Sequence, residues 1–202
     1  MKVKKVTQYF SSDFSVNTYV VIDKQDCILI DPGLMSQELK EFIKNYNLKF
    51  ILLTHGHYDH FGGIKDLNVP IYINEFDKIL LEDTNYNYAH MFNDVVDLSD
   101  KEIILIKDED EIKFNDITIK SINTPGHSKG SSCYFIDNCV FTGDTLFVES
   151  IGRTDLYSGN SKMIMKSLEI LKTLVKSNDI IYPGHGGRAK FSIVKKMNYY
   201  LK

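Results

Sequence analysis

The chain is poor in several features that would mark a specialised protein. It has three cysteines, Cys27, Cys133 and Cys139, with no CxxC pair among them, all inside or beside apolar runs. That excludes a disulfide framework and a closed thiolate metal site, and it reads as small buried core residues. No apolar run approaches the roughly 20 residues that cross a bilayer. The first residues, MKVKKVTQYF, lack a signal-peptide core. The expectations are therefore no membrane partner and a cytoplasmic location. Lys and Arg number 24 against 27 Asp and Glu, a net charge of −3. No basic field is left for nucleic acid, and scattered lysines read as a solvated surface. Repeats, low-complexity tracts and Pro/Gly/Ser linkers are also missing.

What remains suits one globular domain over residues 1–202. The chain is long enough for a sizeable core, with ordinary shares of hydrophobic (43%) and charged (25%) residues. VNTYVVI and DCILID read as strands around a turn at residues 23–25. Ser36 caps a predicted helix with Leu39, Phe42, Ile43 and Tyr46 on one face. FILLT and PIYIN are further strands, and a helix is expected from Asn74 with Phe76, Ile79 and Leu80 inward. Residues 85–100, NYNYAHMFNDVVDLSD, form the best loop candidate, and a loop of that length tends to be functional. Residues 103–144 are rich in strands, with a hairpin turn at Asp137-Asn138. Ile164, Leu168, Leu171 and Val175 then mark a long helix, DIIYP a last strand, and Phe191 and Val194 a final helix. The mixture points to helices covering sheets.

One stretch stands apart. THGHYDHFGG, residues 54–63, places three of the six histidines beside an aspartate as His55-x-His57-x-Asp59-His60. The other unusual polar residues follow strand-like runs: Asp31 after ILI, His127 after ITIKSINTPG, Asp144 after CVFTG and His185 after IIYPG. Glycine and proline at these turns allow sharp bends and close approach. His55, His57, Asp59, His60, His127, Asp144 and His185 are seven N/O donors, too many for one tetrahedral zinc. They suit two divalent ions sharing a carboxylate and a water. Residues two apart on an extended loop face the same way, so His55 and His57 serve one ion, completed by His127. Asp59, His60 and His185 serve the second, and Asp144 bridges. Zinc is the first expectation, with iron and manganese compatible with the same donors. Asp31 either caps its DPG turn or orients a ligand histidine. His90 is read as an ordinary surface residue.

Together these residues resemble the full ligand set of the metallo-β-lactamase superfamily, over essentially the whole chain. The resemblance implies an α+β fold, a four-layer αβ/βα sandwich with the metals at one edge. Aspartate at position 144, TGDTLFVESIGRTDL, TPGHSKGSS and YPGHG are similar to short glyoxalase II-like hydrolases. That implies a dinuclear hydrolase of thioesters such as S-lactoylglutathione, acting through a hydroxide that bridges the metals. His57, Asp59 and Asp144 would be the catalytic residues. The separate C-terminal glutathione-binding domain of glyoxalase II is not expected here, so the anticipated small-molecule thioester carries a smaller or different thiol, or the tolerance for thioesters is broad. Arg153 in GRTD is read either as a clamp for a substrate carboxylate or as a partner of Asp155 that shapes the loop. Tyr157, Lys129 and residues 85–93 are further candidates for lining the pocket. The alternative activity is that of a persulfide dioxygenase, which resembles the same subgroup and uses one iron held by the equivalents of His55, His127 and Asp144.

Overall fold

A computed structural model describes residues 1–12 and 14–202. Among them, two six-stranded sheets form. The first contains β1 (Lys2–Tyr9), β2 (Ser15–Asp23), β3 (Asp26–Ile30), β4 (Asn47–Leu52), β5 (Ile71–Asn74) and β6 (Ile103–Ile106), side by side in chain order. The second runs from β7 (Glu111–Phe114) through β8 (Ile117–Asn123), β9 (Ser132–Ile136), β10 (Cys139–Gly143) and β11 (Ile180–Pro183) to β12 (Ala189–Lys190). The helices are α1 (Gln37–Ile43), α2 (Tyr58–Phe61), α3 (Lys78–Glu82), α4 (Thr84–Asn87), α5 (Ser161–Leu174) and α6 (Phe191–Met197). None is long and apolar enough to cross a membrane.

The layering follows from side-chain alternation. Tyr19 and Val21 of β2 and Ile28 and Ile30 of β3 point into the space between the sheets, where they join Phe114, Ile119, Tyr134 and Phe141. Their neighbours Val20, Ile22, Cys27 and Leu29 join Leu39 of α1 and Phe61 of α2 on the opposite side. On the second sheet Cys133, Val140 and Ile181 join Leu168 and Leu171 of α5 and Phe191 and Val194 of α6. The result is the four-layer αβ/βα sandwich. Because both faces are covered, the central strands read as continuous apolar runs. All three cysteines are free and buried.

Local signals worked where they were chemical. The Ser36 side chain accepts the Leu39 amide at the start of α1. Asn160, which the sequence did not single out, caps α5 in the same way, accepting the amides of Lys162 and Met163. Asp137 takes the left-handed conformation (φ 51°) between β9 and β10.

Two expectations need correction. The helix from Asn74 is interrupted by a 3-10 turn at Glu75–Asp77, and Phe76 and Ile79 are 44% and 42% exposed. Asp77, Leu80 and Leu81 share the inward face at i, i+3 and i+4, which rotates Phe76 and Ile79 outward. Residues 85–100 are also not a plain loop. The segment includes the end of α4 and a 3-10 turn at Ala89–Phe92, and the Asn87 side chain ties it to Leu80 O and the Ala89 amide. The lysine-rich β1 was not anticipated; it is an edge strand, a usual place for lysine.

Candidate metal centre

Strand ends deliver the polar residues to one edge. β3 stops just before Asp31, β4 before Thr54 and His55, β10 before Asp144, and β11 before Gly184 and His185. The short α2 starts immediately after His57 and carries Asp59 and His60. Three groups of donor atoms, each within 4.8 Å of one another, result: His55, His57 and His127; Asp59, His60 and His185; and His55, His60 and Asp144. Asp144 thus meets one histidine from each of the other two groups. His185 Nε2 lies 3.2 Å from Asp144 and 3.4 Å from Asp59.

Each ring but one has one nitrogen occupied by the protein. His127 Nδ1 donates to Arg153 O at 2.7 Å, and His185 Nδ1 to Ser15 O at 2.5 Å. His60 Nδ1 is 3.0 Å from Asp31 Oδ2. The Thr54 hydroxyl donates to Asp31 at 2.7 Å, which leaves it to accept from His55 Nδ1 at 3.1 Å. These partners hold the rings in the tautomer with a free Nε2. His127 Nε2 then faces His57 Nδ1 at 2.8 Å and His55 Nε2 at 3.2 Å. Three ring nitrogens that close can be satisfied together only by shared protons or by a cation. His57 Nε2, His60 Nε2 and Asp144 Oδ1 are also buried without a hydrogen-bond partner. The residues present fit a dinuclear metal group.

The electrostatics agree. Burial pushes His55 well below the usual histidine range, and burial with His127 close by lowers His57 to about 3. Burial also opposes charge on His60 and His185, but the carboxylates win. Asp59, Asp144 and Asp31 hold His60 well above its ordinary value, and Asp144 and Asp59 raise His185 to about 10. Asp59 and Asp144 are depressed in turn: burial opposes their ionisation, and the neighbouring His60 and His185 outweigh it. Without an ion, protons on two histidines supply the countercharge the carboxylates need.

The Asp31 carboxylate bonds outside its own DPG turn: it accepts the Thr54 amide at 2.8 Å and contacts His60, which is the orienting role considered for it. Asp77 escaped the sequence reading. It is fully buried and accepts from the Gly56 amide, the Ser128 hydroxyl and the Gly130 amide at 3.1, 2.6 and 2.7 Å. An aspartate just after a strand-like run, as Asp77 is in PIYINEFD, was the available signal. Gly184 is required by close approach: a Cβ there would strike Asp144 Oδ1 and sit 2.7 Å from His60.

A cavity of about 620 Å³ opens over the centre. Phe14, Tyr88, Met91, Phe92, Phe147 and Leu156 form its apolar wall. Arg153 reaches the lining, but its guanidinium makes two 2.7 Å bonds to Asp155. Tyr157 stacks on Tyr86 at 3.8 Å and Lys129 lies over the Phe76 ring at 4.4 Å; neither lines the cavity. His90 is exposed, with Nδ1 on Thr84 O.

An αβ/βα sandwich with imidazole and carboxylate donors at one edge defines a class of metal-dependent proteins. The profile of the Metallo-beta-lactamase superfamily matches residues 12–185, and the chain belongs to that superfamily. Probable metallo-hydrolase YqgX of Bacillus subtilis is 30% identical over 178 residues, 84% of either chain. The crystal structure of BLEG-1 B3 metallo-beta-lactamase superposes with a TM-score of 0.86 at 26% identity, covering 100% of both chains. That of TTHA1623 in a di-iron-bound form gives 0.82 at 26% identity, over 98% of this chain and 100% of the other.

Proposed function

We propose that the protein is a dinuclear metal-dependent hydrolase of small-molecule thioesters. The observation that carries the metal assignment is the position of Asp144 between two groups of three donors, His55–His57–His127 and Asp59–His60–His185. The GDTLF…GRTDL segment, similar to glyoxalase II-like hydrolases, supports the thioester reading. YqgX is named a probable metallo-hydrolase, which supports hydrolysis more broadly. Zinc suits the donors, and the di-iron form of TTHA1623 makes iron the first alternative.

The two ions, when bound, would lower the pKa of a water and polarise the scissile carbonyl. The protein's own contribution is positional. Asp59 and Asp144 present their carboxylates to the cavity, where they would orient that water, and the ring of His57 borders it. Arg153 O and Ser15 O fix the rings of His127 and His185. No acid is needed for the leaving group, because a thiol has a pKa near 8.5 and departs as thiolate.

The test is elemental analysis of the purified protein beside an S-lactoylglutathione hydrolysis assay and oxygen uptake with glutathione persulfide. About two ions per chain with thioester turnover is the expected result. A single iron with oxygen consumption would replace this reading with the dioxygenase.

A further inference from the structure

The cavity over the candidate centre is walled largely by apolar side chains. Met91 is 70% exposed, and Phe14 and Phe92 are also open to solvent at the mouth. Large apolar side chains left exposed around a concave site mark a surface for an apolar ligand.

The wall is also held in place. Tyr86 and Tyr157 stack almost parallel (10°), and the Tyr157 amide donates to the Tyr88 hydroxyl at 2.9 Å. Those contacts fasten residues 86–88 to the loop that carries Arg153 and Leu156. Tyr88 itself is in the left-handed conformation (φ 67°), an uncommon state for an aromatic residue that its surroundings must enforce. On the other side Phe92 packs on Phe10 and Tyr58 with centroids 5.1 and 5.0 Å apart, and Phe14 lies 5.5 Å from the His185 ring. An apolar group entering the cavity meets Tyr88, Phe92 and Phe14 already held by these contacts, which lowers the entropic cost of binding.

Charge points the same way. Among the described lining residues Arg153 is the one lysine or arginine, and its planar fork is taken by Asp155. Asp59 and Asp144 also line the cavity. A thiol with two carboxylates, such as glutathione, finds no unpaired cationic side chain there.

Resting on the thioesterase reading above, we infer that the substrate carries an uncharged apolar group, aryl or branched aliphatic, on one side of its scissile carbonyl. Met91, Phe92, Phe147, Leu156, Phe14 and Tyr88 receive it. The bond broken is the acyl C–S bond; water supplies the hydroxyl of the product acid and the proton of the released thiol.

The apolar group can belong to the acyl side or to the thiol, and the experiment separates them. Metal-loaded protein is assayed with the phenylacetyl thioester of N-acetylcysteamine, the lactoyl thioester of benzyl mercaptan, and S-lactoylglutathione. At least one apolar thioester should exceed S-lactoylglutathione in kcat/KM by about tenfold or more, the scale expected from burying a ring of that size. The better of the two identifies the side that enters the wall. Met91→Asp and Leu156→Asp, both at solvent-accessible positions, should collapse that ratio with metal content unchanged. Preference for S-lactoylglutathione would overturn the inference. Calorimetry with phenylacetate and acetate supplies a readout free of turnover. Phenylacetate should bind more tightly, and Met91→Asp should remove the difference; equal binding in the wild-type protein overturns the apolar subsite. If no thioester is hydrolysed while phenylacetate still binds preferentially, the thioesterase reading fails and the apolar subsite stands.

Discussion

The carboxylate of Asp77 accepts the amide of Gly130, 53 residues further along the chain, at 2.7 Å. The same carboxylate takes the Gly56 amide and the Ser128 hydroxyl. Gly56 lies between His55 and His57, and Ser128 follows His127. One buried side chain therefore couples the two loops whose histidines meet at 2.8 Å. There is no room for a side chain at Gly130, whose Cβ would lie 2.7 Å from Asp77.

Asp77→Ala leaves two buried amides unpaired and is expected to cost on the order of 2–4 kcal/mol. Urea unfolding measures that loss. Competition with a chromogenic chelator should show metal affinity reduced by about tenfold or more, because His57 and His127 are no longer held to each other. Wild-type stability and affinity together would remove Asp77 from this role.

Single substitutions at the centre should differ in how many ions they release. His57 belongs to one donor group, whereas Asp144 approaches members of both. His57→Ala should lose one ion per chain together with the thioesterase activity, with little change in fold. Asp144→Asn should weaken retention of both. Two ions per chain in purified Asp144→Asn protein would end the bridging assignment.

Stability should respond to pH differently with and without metal. In metal-free protein, His185 is raised to about 10 and His60 well above its ordinary value, the carboxylates outweighing burial. Both folded values exceed the unfolded value of about 6.5, so the protonated rings stabilise the fold fully below about pH 6.5. That contribution drains away as pH rises toward 10. Metal-loaded protein, whose ligand nitrogens carry no proton, should instead gain stability as pH rises toward about 6.5 and stay level above it, because only the unfolded chain's histidines take up protons below that value. Urea midpoints of chelated and loaded protein across that window test the contrast. Parallel slopes would contradict it.

Phe141 is fully buried between the sheets, 5.3 Å from the Tyr19 ring and 4.9 Å from that of Tyr182. Phe141→Ala should cost about 3–5 kcal/mol, a cavity where two sheets meet. A shift in the urea midpoint without a change in slope is the expected signature.

Much of the secondary structure was legible because the signals are local. Ser36 and the Asp137-Asn138 turn act on amides or dihedrals a few residues away. The helix after Asn74 was misread for the opposite reason. Its apolar periodicity favoured Phe76 and Ile79, but burial of Asp77 against two distant loops turned those side chains to solvent. Nothing within a few residues of Asp77 announces Gly130.

The chemistry of the centre was already written in the order of residues. Histidines and aspartates at glycine-rich turns after strands are a donor set whatever the fold, because imidazole and carboxylate preferences for cations are properties of the side chains themselves. The long-range distances were settled by packing of the two sheets. That packing brings His127 to His57, sets Asp144 beside both His60 and His185, and assembles the apolar wall from segments more than a hundred residues apart. Such relationships depend on many weak contacts summed over the core, and no short stretch of chain contains them.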